Sequence, residues 1–436
     1  MNVLKRNTRN RRSGAYSEGS VAPARITWLV LGFLLFVGVG MVVGAMVSNN
    51  ENLDKKVSLG EALMPKMSSS KDVVGMTSLP DVNATAYVLM DASSGYVIAS
   101  HNKDKKLPPA SLTKMMTSYL VSESIADGKL KLSQRVGVSR NAAASNFPGG
   151  SRIWLSAGDS VTVDDLQRGL VVASGNDAAI ALAEQISHKE SKFVELMNNR
   201  AAELGMDSTQ FKNPHGLPNK EHYSTAYDMA LLARALIWDY PEDYFLYREK
   251  SFDYKGVTQS NRNTLLWDNP YIDGIKTGFT DSAGYCLAAS AKKNKMRLIA
   301  IVLGTKSASA RTWEAQKLLS YGFQHYETYQ VYKAHDVIDA YRVWGGSQKT
   351  IQLGVEKDVY LTLPHGDYEK IDSNIVLDQQ ITAPVDQDTS VGYIQVTLNG
   401  TEVLNAPVIA MESIEEGGFL VRLWDTWVAF FSRNFG

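Results

Sequence analysis

Three short motifs bring together the residue types of nucleophilic acyl transfer: Ser111-Leu112-Thr113-Lys114, Ser174-Gly175-Asn176 and Lys276-Thr277-Gly278. A serine hydroxyl attacks poorly unless a neighbour takes its proton. Positions i and i+3 share a helix face, so Lys114 can reach the Ser111 hydroxyl. A lysine serves only if burial or another cation lowers its pKa from about 10.4 toward neutrality. Ser174 and Asn176 flank Gly175, which permits a tight backbone with short polar side chains facing a cleft. Lys276 and Thr277 offer a cation and a hydroxyl suited to a carboxylate, and Gly278 clears a strand edge along which a substrate can lie. Each motif alone also has a structural reading: a serine helix cap beside a solvated lysine, a turn followed by a cap, and a strand end.

Context separates this set from its decoys. Further SxxK copies start at Ser68 and Ser290, and further SxN copies at Ser48 and Ser432. They fall in a linker, across a strand–turn junction, at an anchor end and in a tail. By contrast, Pro108-Pro109-Ala110 leads into Ser111, and Met115-Met116 follow on an apolar helix. The prolines predict Ser111 in the first turn of a helix, where backbone N–H groups are unpaired. That helix is expected over 111–126, with others over 163–173 and 177–186. Tyr87–Met90 and Tyr96–Ala99 flank Ala92-Ser93-Ser94-Gly95 as a hairpin. Tyr271–Ile275 reads as a strand ahead of Lys276. Strands return over 284–290 and 297–303, and a helix follows near 309–319. Strands at both ends with helices between predict one sheet sewn together from the two ends and covered by helices. After about Tyr329, short strands such as Val359–Leu363 and Gly392–Val396 predict a small all-β domain.

Lys plus Arg number 45 and Asp plus Glu 46, so no global basic field argues for nucleic acid. Cys286 is the single cysteine, which rules out an intramolecular disulfide and a cysteine metal site; within an apolar run it reads as a packing residue. The seven histidines show no HExxH spacing, and no metal or cofactor is expected. His215 reads as structural. Six basic residues from Lys5 to Arg25 precede an uncharged stretch over 26–47, long enough to span a bilayer and oriented with its basic flank inside. It serves either as an uncleaved anchor or as a long signal peptide, and both export the rest of the chain. Near the C-terminus Leu420, Leu423, Trp424, Trp427, Phe431 and Phe435 recur at steps of three and four, opposite Arg422, Asp425 and Arg433. That pattern predicts an amphipathic helix lying in a membrane interface; a helix docked on its own domain would look similar.

The motifs stand 63 and 102 residues apart, and SxxK, SxN and KTG together are a signature of β-lactamases and penicillin-binding proteins. The chain from about Ala86 onward resembles the serine D-alanyl-D-alanine carboxypeptidases of low molecular mass, the penicillin-binding protein 5/6 type. Asn213-Pro214-His215-Gly216-Leu217, Tyr223-Ser224-Thr225-Ala226 and Asp273–Gly278 add to the likeness. The resemblance implies an α+β fold, an antiparallel sheet covered by helices as in serine β-lactamases and penicillin-binding transpeptidases, plus a small C-terminal all-β domain and a C-terminal amphipathic helix. The expected divisions are 1–47 (basic segment and export signal or anchor), 48–80 (linker), 81–328 (catalytic), 329–414 (β-rich) and 415–436 (membrane-binding helix). It implies Ser111 as acyl-forming nucleophile, Lys114 as general base, and Ser174 with Lys276 relaying a proton to leaving D-alanine. Asn176 would bind the substrate amide, Thr277 and Arg311 the terminal carboxylate, and the N–H groups of Ser111 and Phe279 would form an oxyanion hole beside Gly278. The expected substrate is the peptidoglycan pentapeptide stem, with penicillins as covalent inhibitors, at the outer face of a bacterial cytoplasmic membrane. Phe279 departs from the family, whose best-known members carry histidine there. A β-lactamase would need a second carboxylate base, and no ExxLN-like segment supplies one. A DD-endopeptidase, or a catalytically quiet penicillin-binding wall module, remains as an alternative.

Overall fold

Five antiparallel strands carry the site. They are β1 (Ala86–Asp91), β2 (Val97–His101), β3 (Ile272–Thr280), β4 (Gly284–Lys293) and β5 (Met296–Thr305), in the spatial order β2-β1-β5-β4-β3. The computed structural model describes residues 79–435; the expected export segment over 1–47, and the linker short of Leu79, lie outside the described residues. Alternation along each strand gives the sheet two apolar faces. Val88, Met90, Ile275, Ala288, Ile299 and Ile301 pack on one side against Met115, Met116, Phe193 and Met229 of the helical region. Leu89, Leu287, Ala289, Leu298 and Ala300 pack on the other against Ala315, Leu318 and Leu319. The N-terminal hairpin joins the late strands directly, with Val88 opposite Ile301 and Ala288 opposite Ile301 from the other side, so the sheet is sewn from both ends.

The longer helices between these strands are α1 (Lys114–Ala126), α2 (Val163–Val171), α3 (Asn176–Ser187), α4 (Glu190–Glu203) and α5 (Ala226–Asp239); α6 (Ala308–His325) follows β5. Thr162, Thr225 and Ser307 cap three of them by accepting from the N–H groups of Asp165, Asp228 and Ala310. The segment 111–113 is not α-helical. It forms a 3₁₀ turn over Ala110–Thr113, and the α-helix begins at Lys114. Ala110 takes the left-handed region, φ 48°, where Gly216 and, from β3, Gly278 pack against it. A second difference lies in β3, which runs through the lysine–threonine–glycine motif to Thr280 instead of ending before it.

Strands β6 (Tyr326–Tyr332), β7 (Val337–Arg342), β8 (Thr350–Gly354), β9 (Val359–Pro364), β10 (Ile371–Leu377), β11 (Ser390–Leu398) and β12 (Thr401–Ala410) build the β-domain around its own core of Ile351, Leu361, Ile394, Val396 and Leu404. The two units meet at a buried polar knot, in which Ser94 and Thr328 donate hydroxyl hydrogen bonds to Asp91 and the Ser94 and Thr362 hydroxyls stand 2.6 Å apart. The chain ends in α7 (Phe419–Phe435). Asp425 ties this helix to the β-domain, accepting from Arg342 and from the Gly345 N–H at 2.8 Å each. Phe419, Leu420 and Trp424 on the same helix are 70–77% exposed. Among the described residues no helix is long and apolar enough to cross a membrane.

Candidate active site

The 3₁₀ turn sets Ser111 on the floor of a cleft of about 670 Å³, whose walls include Ser174, Asn176, Thr277, Gly278, Phe279 and Arg311. Seven of the nine residues singled out from sequence line it. The other two, Lys114 and Lys276, lie buried beneath, at 1% and 3% exposure. Close backbone packing makes this convergence possible. A Cβ on Gly278 would stand about 3 Å from Leu112, Ala110 and the Pro109 carbonyl, so only glycine lets β3 run this close to the serine turn. Gly216, φ +85°, approaches still closer: a Cβ there would fall 1.9 Å from the Ala110 carbonyl oxygen.

Lys114 Nζ has three neighbours: Ser111 Oγ at 3.3 Å, Asn176 Oδ1 at 2.8 Å and the His215 carbonyl oxygen at 2.6 Å. Burial, and then the nearby charge of Arg262, lower its pKa to about 7. A neutral amine has two N–H bonds to donate and one lone pair. The amide and carbonyl oxygens can only accept, so in the neutral state the lone pair is left for the Ser111 hydroxyl. Lys276 Nζ donates to the Thr277 carbonyl at 3.1 Å. Burial, followed by Lys114, Arg262 and Arg311, pushes its pKa well below the usual lysine range. The cleft thus carries the Arg262 and Arg311 guanidinium groups, able to attract a carboxylate, above a Lys114 able to move a proton near neutral pH.

The second motif forms a strained corner. Ser174 is buried with φ 62°, and its Oγ has no hydrogen-bond partner among the described residues. Asn176 opens α3. Asp177 beside it is buried and accepts from the N–H groups of Ile153 at 3.0 Å and Leu155 at 3.1 Å. Arg311, near the start of α6, donates to the Gly278 carbonyl at 3.1 Å and lies over the Tyr285 ring. Phe279 is 47% exposed, with its ring 4.3 Å from that of Tyr285. It therefore gives the cleft mouth an apolar edge.

His215 touches Lys114 through its backbone carbonyl, not its ring, and the ring packs edge-on against Phe147. Burial lowers its pKa to about 3, so it is neutral at physiological pH. The Lys212 N–H donates to His222 Nδ1, which places the His222 proton on Nε2, 2.8 Å from Thr113 Oγ1. Cys286 is fully buried on β4, as its apolar setting implied. Sequence reasoning missed Arg262 and the loop over 147–151, which line the same cleft. Arg262 donates to Ser151 Oγ at 2.5 Å. No spacing rule points to it, because it reaches the cleft only through the fold. Among the described residues no group of three His, Cys, Asp or Glu side chains is placed to hold a metal ion.

A serine with a buried lysine one turn away, beneath the open edge of a helix-covered antiparallel sheet, marks the fold shared by serine β-lactamases and penicillin-binding proteins. Comparison with known proteins narrows this. A D-alanyl-D-alanine carboxypeptidase family model matches residues 73–307, and a penicillin-binding protein 5 C-terminal domain model matches 326–416. The chain belongs to the D-alanyl-D-alanine carboxypeptidase family. It is 43% identical over 362 residues to D-alanyl-D-alanine carboxypeptidase DacC of Escherichia coli K12, covering 82% of this chain and 90% of that one. It is 39% identical to D-alanyl-D-alanine carboxypeptidase DacA of Haemophilus influenzae, covering 82% and 92%. Penicillin-binding protein 5 from Haemophilus influenzae superposes with a TM-score of 0.76 at 39% identity, over 78% of this chain and all of that one. Penicillin-binding protein D2 from Listeria monocytogenes in its ampicillin-bound form gives 0.52 at 31%, over 57% of this chain and all of that one.

Proposed function

We propose that the protein is a serine D-Ala-D-Ala carboxypeptidase that removes the terminal D-alanine from peptidoglycan pentapeptide stems through an acyl-enzyme on Ser111. One observation carries the reading: Lys114, held near neutrality by burial, has two acceptors and the Ser111 hydroxyl as its neighbours. Lys114 takes the Ser111 proton as Oγ attacks the penultimate carbonyl carbon. The tetrahedral oxyanion is held by the N–H groups of Ser111 and Phe279. A trans peptide points its C=O and N–H in opposite directions. Donation by Arg311 to the Gly278 carbonyl therefore turns the Phe279 N–H away from Arg311, in keeping with that role. Ser174 and Lys276 pass that proton on from Lys114 to the departing amine, and the C–N bond breaks with loss of D-alanine. Asn176 holds the peptide amide, and Thr277 with Arg311 holds the terminal carboxylate. Water then attacks the ester, activated by the again neutral Lys114, and frees the shortened peptide and Ser111. Penicillins acylate the same serine.

The outer face of the cytoplasmic membrane is the proposed location. The exposed Leu420 and Trp424 of α7 form an apolar face that suits a membrane interface, while Asp425 holds the helix to the β-domain. D-alanine release from a peptide ending in D-Ala-D-Ala tests the activity, with Ser111→Ala as control. Penicillin labelling without release in the wild type would leave a wall-binding module, and the reading would be wrong.

A further inference from the structure

The cleft has a direction. Its cationic end, Arg262 and Arg311, is shared with a groove running toward α6, so the free carboxylate of a bound peptide points that way. The remainder of the peptide must then leave past Phe279 and Thr280, along the open edge of β3. There a second recess of about 530 Å³ continues from the cleft, sharing Gly216, Leu217, Pro218, Thr280 and Ser282 with it. Its outer wall carries Lys106, Lys220 and Tyr223. Lys106 Nζ lies 4.7 Å from the centre of the Tyr223 ring. The adjoining backbone is fixed by the reciprocal bridge between Leu107 and Ser224. Neither lysine pairs with a carboxylate among the described residues, whereas the neighbouring Glu221 and Asp104 are engaged by Lys212 and Lys103. Asp281 lines the main cleft and not this recess.

We propose that this recess is a subsite for the acyl side of the substrate, and that Lys106 and Lys220 select peptides bearing a free carboxylate upstream of the scissile bond. The inference rests on the carboxypeptidase reading and deepens it, since it names the substrate class as an acidic peptide. Neither lysine touches the reacting atoms. They act on binding, so the selection appears in KM and not in kcat.

The test uses the full chain in detergent and two synthetic pentapeptides ending in D-Ala-D-Ala. They are identical except that the second residue is D-glutamate, joined through its side chain, in one and its α-amide in the other. The wild type should favour the acid over the amide by about five-fold or more in kcat/KM, the scale of one or two exposed ion pairs. The preference should shrink as salt is raised. In the double variant Lys106→Met/Lys220→Met the acid-to-amide ratio should fall to near one, and Lys106→Arg/Lys220→Arg should restore it. Equal kcat/KM for the two peptides in the wild type, or a preference untouched by the double methionine variant, overturns the subsite while leaving the carboxypeptidase reading standing. Failure to release D-alanine from either peptide sinks both.

Discussion

Lys114 should set the pH dependence of acylation, and its surroundings say where the change falls. With a pKa of about 7, its neutral fraction is about one tenth at pH 6, one half at pH 7 and nine tenths at pH 8. The second-order rate constant for acylation by a fluorescent penicillin should therefore rise about five-fold from pH 6 to 7 and about two-fold from pH 7 to 8. Burial is the larger cause of the lowered pKa and Arg262 the next. Removing the guanidinium in Arg262→Ala raises the lysine pKa, so the acid limb should move to higher pH. Lys114→Arg keeps the charge but cannot give up its proton near neutrality. It should lose about 10²- to 10⁴-fold at every pH tested, the usual worth of a positioned base. Stopped-flow or gel-based labelling of the full chain in detergent reads all three. A flat profile between pH 6 and 8, a limb unmoved by Arg262→Ala, or Lys114→Arg within ten-fold of wild type would refute the reasoning.

Other expectations rest on the same contacts. Gly216→Ala forces a Cβ into the Ala110 carbonyl at a left-handed φ; it should lower kcat/KM and the melting temperature together, and an unaffected enzyme would show that the serine turn tolerates displacement. Asp177→Ala leaves the buried Ile153 and Leu155 N–H groups unpaired and should cost about 2–3 kcal/mol in urea unfolding; a loss under about 0.5 kcal/mol would contradict this. Lys114 and Lys276 have folded pKa values below their unfolded ones, so between about pH 7 and 10 the unfolded chain binds more protons and stability should increase with pH. Urea midpoints at pH 7 and 9 check the sign, and a fall contradicts it. In a chain starting at residue 79, removal of residues 419–436 should release the otherwise intact domain from anionic vesicles, measured by co-sedimentation; unchanged binding would discard the interfacial helix.

Much of the site was legible because its chemistry depends on residue types at short local spacing. Ser111 and Lys114 stand three apart, and the other motifs are tripeptides, so local reading found them. The sheet was legible through its short apolar runs and the hairpin turn Ala92-Ser93-Ser94-Gly95. The 3₁₀ geometry of the serine turn was not. The prolines predicted a helix start, but the approach of Gly216 and Gly278 from distant chain segments compresses that turn. Continuation of β3 through Lys276 was likewise hidden, because pairing with β4, Thr277 opposite Leu287, overrides a polar local sequence. Arg262 was invisible for a related reason: its importance comes from three other cations brought near it by the fold. The aromatic tail showed its periodicity in sequence, but the tether of Asp425 to Gly345 depends on tertiary contact.

The most direct measurement is the position of the covalent adduct. The full chain in detergent would be trapped with a penicillin, digested and mapped by mass spectrometry. The account predicts a single penicilloyl group on Ser111, its formation slowed by Lys114→Arg and abolished by Ser111→Ala. An adduct on another residue, or undiminished labelling of Ser111→Ala, would contradict it.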